Sequence, residues 1–428
     1  MISRLVAFST LTCLLVFDSS CLHAENWPCW RGPTHDGIST EQGVPLRWSP
    51  TENVLWKTPI VGIGHSSPVV WEDHLFVTSC ITEELSRVLY CVERETGEIR
   101  WQRVVAKCPI EKMHRDNTPA SATPATDGQH VFVAFQVNDE IQVTAYDFDG
   151  NLAWQVAPGS FESRHGFCTS LVLDEEKLFV SGLQDGPDAF VAALNKGSGE
   201  TIWKVEREEK VRSFSSPFLC TVGETPALLL SGANQTIAYD RESGATLRMV
   251  PGPAAKTVSS IVRCPESNLA FVCGGRDNHF FALSLDSETV SSAGDYVWTS
   301  SKGIPYMTSP LVYNGNVHVL SDEGIYRCYR AVDGEVLKEK RPVGAVRASM
   351  VATEDHIFVT EKSGKTTVIT NDSNWNVVAE NELDEGVLAS AAISNGDLIF
   401  RTTNHLVLIR DGNKQQALVP GKAAAKVR

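Results

Sequence analysis

Side chains that could bind an anion recur at one place in a repeated pattern of this sequence. Each stands shortly before a triplet of small residues, and together they are His65, Arg115, Arg164, His165, Arg212, Lys256, Tyr306 and Arg347. Guanidinium and ammonium groups hold carboxylate, phosphate or sulfate through charge-assisted hydrogen bonds. If the fold brings these positions together, they predict an anion-binding site. The alternative is that they are ordinary charged turn residues, some of them paired with local acids.

The triplets mark a repeat of eight units. Their central residues are Ser67, Thr123, Ser170, Ser216, Ser260, Ser309, Ser349 and Ser390. Successive centres are between 40 residues (Ser309 to Ser349) and 56 residues (Ser67 to Thr123) apart, which is the spacing of β-propeller blades. Short β-branched or aromatic runs such as residues 75–77 and 357–359 follow the triplets. The pattern predicts an all-β fold, an eight-bladed β-propeller of four-stranded antiparallel blades.

Each unit closes with a turn and a last strand in which one marker position is often Trp. The marker residues are Trp56, Trp101, Trp154, Trp203 and Trp298, with Arg248, Lys338 and Ala379 in the remaining units. We expect the Trp side chains to pack between blades. Because Trp56 precedes the first triplet, the N-terminal strand is predicted to pair with the last blade and close the ring. Residues 415–419 are the alternative closing strand.

The predicted domain organisation follows from this repeat and from the N-terminus. Arg4, the apolar run 5–17 and the small residue Ala24 have the order of a secretory signal, so residues 1–24 are predicted to be a signal peptide. Residues 25–47 form an N-terminal extension, 48–412 the propeller and 413–428 a C-terminal tail. The protein is therefore expected to be exported, to the periplasm or beyond the cell. A lipid anchor at Cys21 is not favoured, because Asp18 stands where a lipobox needs an aliphatic residue.

Composition limits the class of partner. The chain of 428 residues has 38 basic and 52 acidic side chains and a net charge of −14, which argues against nucleic acid and anionic lipid surfaces. No segment after the leader is apolar over 18 residues, so no transmembrane segment is predicted. Of 11 cysteines, nine follow the leader, and we expect mostly buried free thiols. One or two disulfide bridges remain the alternative.

Motifs for other chemistries are missing from the sequence. It contains no G-x-S-x-G, H-E-x-x-H or P-loop motif and no C-x-x-C pair. Asp116 and Asn117 in the longest connection, 103–120, carry oxygens that calcium accepts, as do Asp384 and Glu385. We interpret all four as residues of solvated loops.

The opening triplets and the closing strands in segments 97–102, 150–155 and 199–204 resemble the pyrroloquinoline-quinone-like (PQQ-like) repeat superfamily. The resemblance covers about residues 48–412. Residues 26–33, with the sequence N-W-P-C-W-R-G-P, also resemble the opening of exported propellers found in planctomycete-type bacteria.

The resemblance implies two kinds of function. Quinoprotein dehydrogenases hold PQQ and calcium on the propeller axis, whereas other members are non-catalytic, such as the lipoprotein of the outer-membrane barrel-assembly machinery. This chain has no adjacent cysteine pair and lacks the long insertions of the enzymes. We therefore predict a non-catalytic binding or scaffold module without a cofactor, with a protein, polymer or anionic ligand at one face. The alternative is a PQQ-dependent alcohol or sugar oxidoreductase, and PQQ and calcium are expected only in that case.

Overall fold

The structure, a computed structural model, describes residues 25–277, 279–286, 296–372 and 374–412. The predicted signal peptide with Cys21, and the segment 415–419, lie outside the described residues. Within the described ranges, no helix is both long and apolar enough to cross a membrane.

Short strands separated by tight turns make up almost all of the described chain. The strands of the first four complete sheets are β2 (Val69–Trp71), β3 (His74–Ile81), β4 (Ser86–Glu93), β5 (Ile99–Lys107), β6 (Ala125–Thr126), β7 (His130–Val137), β8 (Glu140–Asp147), β9 (Leu152–Ser160), β10 (Val172–Asp174), β11 (Lys177–Gly182), β12 (Ala189–Asn195), β13 (Thr201–Arg207), β14 (Phe218–Val222), β15 (Thr225–Gly232), β16 (Gln235–Asp240) and β17 (Thr246–Pro251). The other strands are β18 (Val262–Cys264), β19 (Leu269–Gly274), β20 (His279–Ser284), β21 (Tyr296–Ser300), β22 (Leu311–Tyr313), β23 (Asn316–Leu320), β24 (Tyr326–Arg330), β25 (Val336–Lys340), β26 (Val351–Ala352), β27 (His356–Thr360), β28 (Thr366–Thr370), β29 (Val377–Asn381), β30 (Ala392–Ser394), β31 (Asp397–Arg401), β32 (His405–Ile409) and β1 (Val54–Pro59). Two 3-10 turns, Thr82–Glu84 and Gly275–Asp277, lie in hairpins.

The strands form eight four-stranded antiparallel sheets, as the repeat predicts. Blades 1 to 7 each use four consecutive strands, from β2–β5 for blade 1 to β26–β29 for blade 7. The first strand of every blade, which is its inner strand, begins directly after an opening triplet. Blade 8 combines β30, β31 and β32 with β1 as its outer strand. Trp56 pairs with Leu408 and Pro59 with His405, so the N-terminal strand closes the ring as predicted.

The marker Trp residues pack between blades, which confirms their predicted role. The indole N–H of Trp101 donates to the carbonyl of Phe148 at 2.7 Å, and that of Trp154 to the carbonyl of Lys196 at 2.8 Å, each in the last turn of the next blade. The glycine of that turn lies against the indole, since a Cβ on Gly199 would stand 2.6 Å from Trp154. The same contact joins Trp56 to Gly97, Trp101 to Gly150, Trp203 to Gly244 and Trp298 to Gly334.

Two units without a marker Trp restore the contact differently. Arg248 donates to the carbonyl of Ser284 in the next blade, much as the indoles do. In blade 7 the marker is the small Ala379, and Trp48 from the chain before β1 packs there instead. Its ring centroid lies 6.4 Å from that of Phe358 and 5.7 Å from that of Phe400, and its backbone N–H donates to Asn381.

The N-terminal extension crosses the propeller axis. Trp27 pairs with Val70 of blade 1, the carbonyl of Pro28 accepts from Thr126 of blade 2, and Ile38 bridges to Ala352 of blade 7. The buried guanidinium of Arg31 donates to the carbonyls of Ser309 and Pro310 at the start of blade 6. These residues therefore connect opposite sides of the ring.

All nine cysteines of the described residues are free thiols, and eight of them are buried. The exception, Cys168, is partly exposed. The predicted free thiols are confirmed, and the alternative disulfide bridges do not form among these residues.

Candidate functional site

The candidate site lies on the face where the loops that lead into the inner strands meet. Because neighbouring strands are antiparallel, the hairpins between second and third strands lie on the same face. We call it the mouth face. A cavity of about 340 Å³, the mouth cavity, opens there and is lined by fifteen residues.

Five of the eight predicted residues line the mouth cavity together, namely His65, Arg115, His165, Tyr306 and Arg347. They come from five different connections between blades. The repeated path of the chain through the blades therefore brings these distant positions to one place. Their role in binding stays a prediction.

Arg164, Arg212 and Lys256 lie outside the cavity lining. Arg212 is buried and donates to Asp185 Oδ1 at 2.5 Å and to His165 Nδ1 at 2.8 Å. The side chain of Arg164 is 71% exposed, and its Nε lies 3.6 Å from Asp185. The interpretation that some cations pair with local acids holds for these two arginines.

The two predicted histidines are neutral near pH 7. Burial, followed by the charge of Arg212, lowers the pKa of His165 to about 4, and Lys256 contributes in the same direction. Burial is also the main cause that lowers the pKa of His65 to about 4. Neither ring supplies positive charge at neutral pH, so the cations that line the cavity are Arg115 and Arg347.

Two carboxylates that sequence reasoning did not assign to the site also line the cavity. Asp116 lies 3.6 Å from Arg347 Nη2 and 3.8 Å from Lys362 Nζ. Asp322, in the hairpin after β23, accepts the backbone N–H groups of Tyr306 and Met307 at 3.2 and 3.0 Å. Burial raises the pKa of Asp322. The topology offered a signal for Asp322, because every hairpin between second and third strands lies on the mouth face.

The predicted connection 103–120 starts later than expected, because β5 extends to Lys107, and its remaining residues 108–120 fold over the mouth, contrary to the solvated-loop interpretation. The backbone N–H of His114 and the side-chain amide of Asn117 both donate to the carbonyl of His165, at 3.2 and 2.8 Å. Asp116, whose side chain is only 12% exposed, faces Arg347 of the connection into blade 7. The loop therefore links blade 3 to blade 7 across the cavity.

Below the mouth cavity, the central residues of the opening triplets form a ring of hydroxyl groups around the axis, which we call the hydroxyl ring. The backbone N–H of each donates to the hydroxyl of the next at 2.9–3.2 Å, in seven successive bonds that run from Ser67 through Thr123 to Ser390. A narrower cavity of about 120 Å³, the shaft, is lined by six of these residues together with His65 and Arg347. Trp30 of the N-terminal extension also lines the shaft.

Trp30 closes the far end of the shaft. The chain on either side of it pairs with the inner strands, Trp27 with Val70 and Ile38 with Ala352. These pairs lie on the side of the propeller away from the mouth face. The mouth cavity and the shaft therefore form one blind axial channel, which is accessible from the mouth face.

The residues considered for calcium do not suit that ion. The side-chain oxygen of Asn117 accepts the backbone N–H of Thr118 at 2.9 Å, and Asp116 already faces two cations. Among the described residues, no three His, Cys, Asp or Glu side chains converge in a way that could hold a metal ion. Calcium needs six to eight oxygen ligands.

The fold and the repeat define the class of protein, a PQQ-like eight-bladed propeller. The family described as outer membrane protein assembly factor BamB matches residues 40–157 and 87–292. These matches cover more than half of the chain, which therefore belongs to this family.

Solved structures share the fold at low sequence identity. BamB from Moraxella catarrhalis is 13% identical with a TM-score of 0.62, and the alignment covers 83% of this chain and 100% of that one. A europium-containing methanol dehydrogenase is 11% identical with a TM-score of 0.52, over 91% of this chain and 90% of that one. No curated protein matches the sequence. At these identities the likeness concerns the fold alone.

Proposed function

We propose that this protein is an exported, non-catalytic binding module whose axial channel holds a small anionic ligand at the mouth face. The observation that carries the proposal is the state of Arg347. Its Nη1 donates only to the adjacent carbonyl of Val346, its Nη2 is 3.6 Å from Asp116, and its buried Nε has no described partner. A half-buried guanidinium in this state is available to a carboxylate or phosphate.

The surroundings of Arg347 support a ligand that also has an apolar part. Phe214, Met307 and Leu388 line the mouth cavity beside the polar groups. Binding sites for small molecules are typically concave, with apolar walls and a few polar groups that orient the ligand. A cavity of about 340 Å³ lies at the small end of the usual range for such sites.

Export and a partner protein belong to the same proposal. The leader-like residues 1–24 motivate export to the periplasm or beyond the cell. The family name describes an assembly factor for outer-membrane proteins, and by analogy we propose that this propeller also presents its mouth face to a protein partner. A lipid anchor at Cys21 is not part of the proposal.

Calorimetric titration of the purified protein with hexyl phosphate and hexanoate tests anion binding. Arg347→Ala should weaken binding at least tenfold, because a hydrogen bond to a charged group contributes roughly 1.5–3 kcal/mol. Arg330→Ala is the matched control. This arginine pairs with Asp333 in the turn between the third and fourth strands of blade 6, on the opposite face, and its loss should not change the affinity. Equal affinity for the parent and Arg347→Ala would contradict the proposal.

A second titration addresses the alternative, a PQQ-dependent oxidoreductase. PQQ and calcium are added to the protein, and dye reduction with alcohols and sugars is measured. The proposal predicts no turnover above the rate of free PQQ. Saturable reduction that is lost in Arg347→Ala would replace the binding module with the oxidoreductase.

A further inference from the structure

The hydroxyl ring has hydrogen-bond donors that the protein itself does not use. In the seven bonds that join its members, the hydroxyl oxygens accept backbone N–H groups. Among the described contacts, none of the eight hydroxyl groups donates its own proton to a protein acceptor. All eight residues are at most 6% exposed, and buried polar groups are nearly always hydrogen-bonded. Six of the eight residues line the shaft, so acceptors for their hydroxyl protons can lie inside the axial channel.

The shaft gives these donors a common target. Hydroxyl groups from six of the eight blades line it, and Arg347 lies at its upper end, where the shaft meets the mouth cavity. Its volume of about 120 Å³ has room for several water molecules. It can therefore hold one compact group with several acceptor oxygens.

We propose that an oxyanion headgroup, a carboxylate or a phosphate monoester, binds on the propeller axis inside the hydroxyl ring. This inference rests on the proposed function and names the class of ligand. The headgroup accepts hydrogen bonds from the ring hydroxyls and from Arg347. The slender, apolar remainder of the ligand lies in the mouth cavity against Phe214, Met307 and Leu388.

The arrangement has a physical advantage over a simple cationic mouth. The backbone bonds around the ring hold seven of the hydroxyl oxygens in place, so the ring needs little reorganisation to receive an anion. Trp30 closes the shaft below, so the headgroup is shielded from water, and hydrogen bonds to it are strengthened by the low local dielectric. Arg347 supplies a positive charge beside the headgroup.

Ser67→Ala provides a clean test, because the Ser67 hydroxyl accepts none of the seven bonds in the ring. Its removal leaves no backbone N–H without a partner. In calorimetric titrations of the purified protein, we expect hexyl phosphate or hexanoate to bind Ser67→Ala roughly tenfold more weakly than the parent. Ser67→Thr keeps a donor like that of Thr123 and should restore most of the affinity. Ser363→Ala, at an exposed hairpin of the mouth face, is the control that should bind like the parent.

The two probes separate the possible headgroups, since a site for phosphate monoesters favours hexyl phosphate and a site for carboxylates favours hexanoate. Inorganic phosphate should bind more weakly than hexyl phosphate, because it lacks the apolar part. If Arg347→Ala weakens binding and Ser67→Ala does not, the anion is held at the mouth, and the inference fails while the proposed function stands. If no probe binds the parent protein, both fail.

Discussion

Asp397 accepts two hydrogen bonds from Arg410, with its Oδ1 2.8 Å from Nε and its Oδ2 2.7 Å from Nη2. Oδ2 also accepts from Arg94 Nη2 of blade 1 at 2.7 Å, and Arg410 donates to Glu95 of blade 1 at 2.6 Å. Asp397, Arg94 and Arg410 are all buried. The network joins blade 8 to blade 1 at the place where the ring closes.

Asp397→Asn should lower the free energy of unfolding by about 3–5 kcal/mol, because it leaves buried Arg94 without a carboxylate and leaves Arg410 with Glu95 alone. Urea unfolding followed by tryptophan fluorescence measures the change. Glu242→Gln removes an exposed ion pair with Lys177 and should change stability by less than about 1 kcal/mol. Similar effects of the two variants would show that the network contributes little to ring closure.

Gly199→Ala should destabilise the propeller more than Gly315→Ala. Both glycines have positive φ, +76° and +68°, so both substitutions introduce backbone strain of about 1–2 kcal/mol. A Cβ on Gly199 additionally collides with Trp154, whereas one on Gly315 has no heavy atom within 4 Å. We expect the collision to add about 1–3 kcal/mol. Equal thermal midpoints for the two variants would contradict a packing role for the Trp–Gly contact.

Trp48→Ala should cost about 3–5 kcal/mol, the usual range when a buried Trp is truncated. Ala379 occupies the marker position that Trp holds in five other units. We therefore expect Ala379→Trp to destabilise the parent by crowding and to restore part of the stability lost in Trp48→Ala. A double-mutant cycle in urea measures this coupling. Additive effects would mean that the two side chains do not share one space.

Asp116→Asn should bind hexyl phosphate more tightly than the parent, by roughly threefold to tenfold. The carboxylate of Asp116 faces Arg347 and Lys362, and its removal relieves repulsion of an incoming anion. Asp149→Asn, in an exposed turn, keeps the same change in net charge and serves as the control. Weaker binding by Asp116→Asn would show that its carboxylate positions Arg347 for the ligand.

His318→Phe should reduce the loss of stability in acid. Burial lowers the pKa of His318 to about 4, so between pH 6.5 and 4 the unfolded chain binds a proton that the native protein does not. Stability from this residue is complete above pH 6.5 and falls as pH decreases, by up to about 1.4 kcal/mol per pH unit. Phe occupies the equivalent position in blades 1 and 7, at Phe76 and Phe358.

The measurement for His318→Phe is the difference in unfolding free energy between pH 7 and pH 5. The variant loses the contact of His318 Nδ1 with the hydroxyl of Tyr326, 2.7 Å away, so its stability at pH 7 can differ from that of the parent. The difference between the unfolding free energies at the two pH values separates the effect of proton binding from the effect of the lost contact. If it is as large in the variant as in the parent, another group accounts for the acid sensitivity.

The pattern of the candidate site was predicted only in part. The loops before the opening triplets do meet at one mouth, because every blade repeats the same path. The state of each cation there could not be predicted, since Arg212 is engaged by Asp185 from a hairpin of blade 3 and Arg347 is not engaged in this way. Burial likewise decides that His65 and His165 are neutral, and burial is a property of the assembled ring.

By itself, the sequence determined the eight units, their four strands and the contacts of the marker Trp residues; for the closure it favoured the strand around Trp56 over residues 415–419 without deciding between them. These features repeat about once per blade and depend on local patterning, so each copy supports the interpretation of the others. Only the tertiary structure decided that Trp30 closes the channel, that Trp48 serves blade 7 and that Asp116 faces Arg347. Those contacts occur once, between residues far apart in the chain, and packing around a common axis brings them together without any local signal.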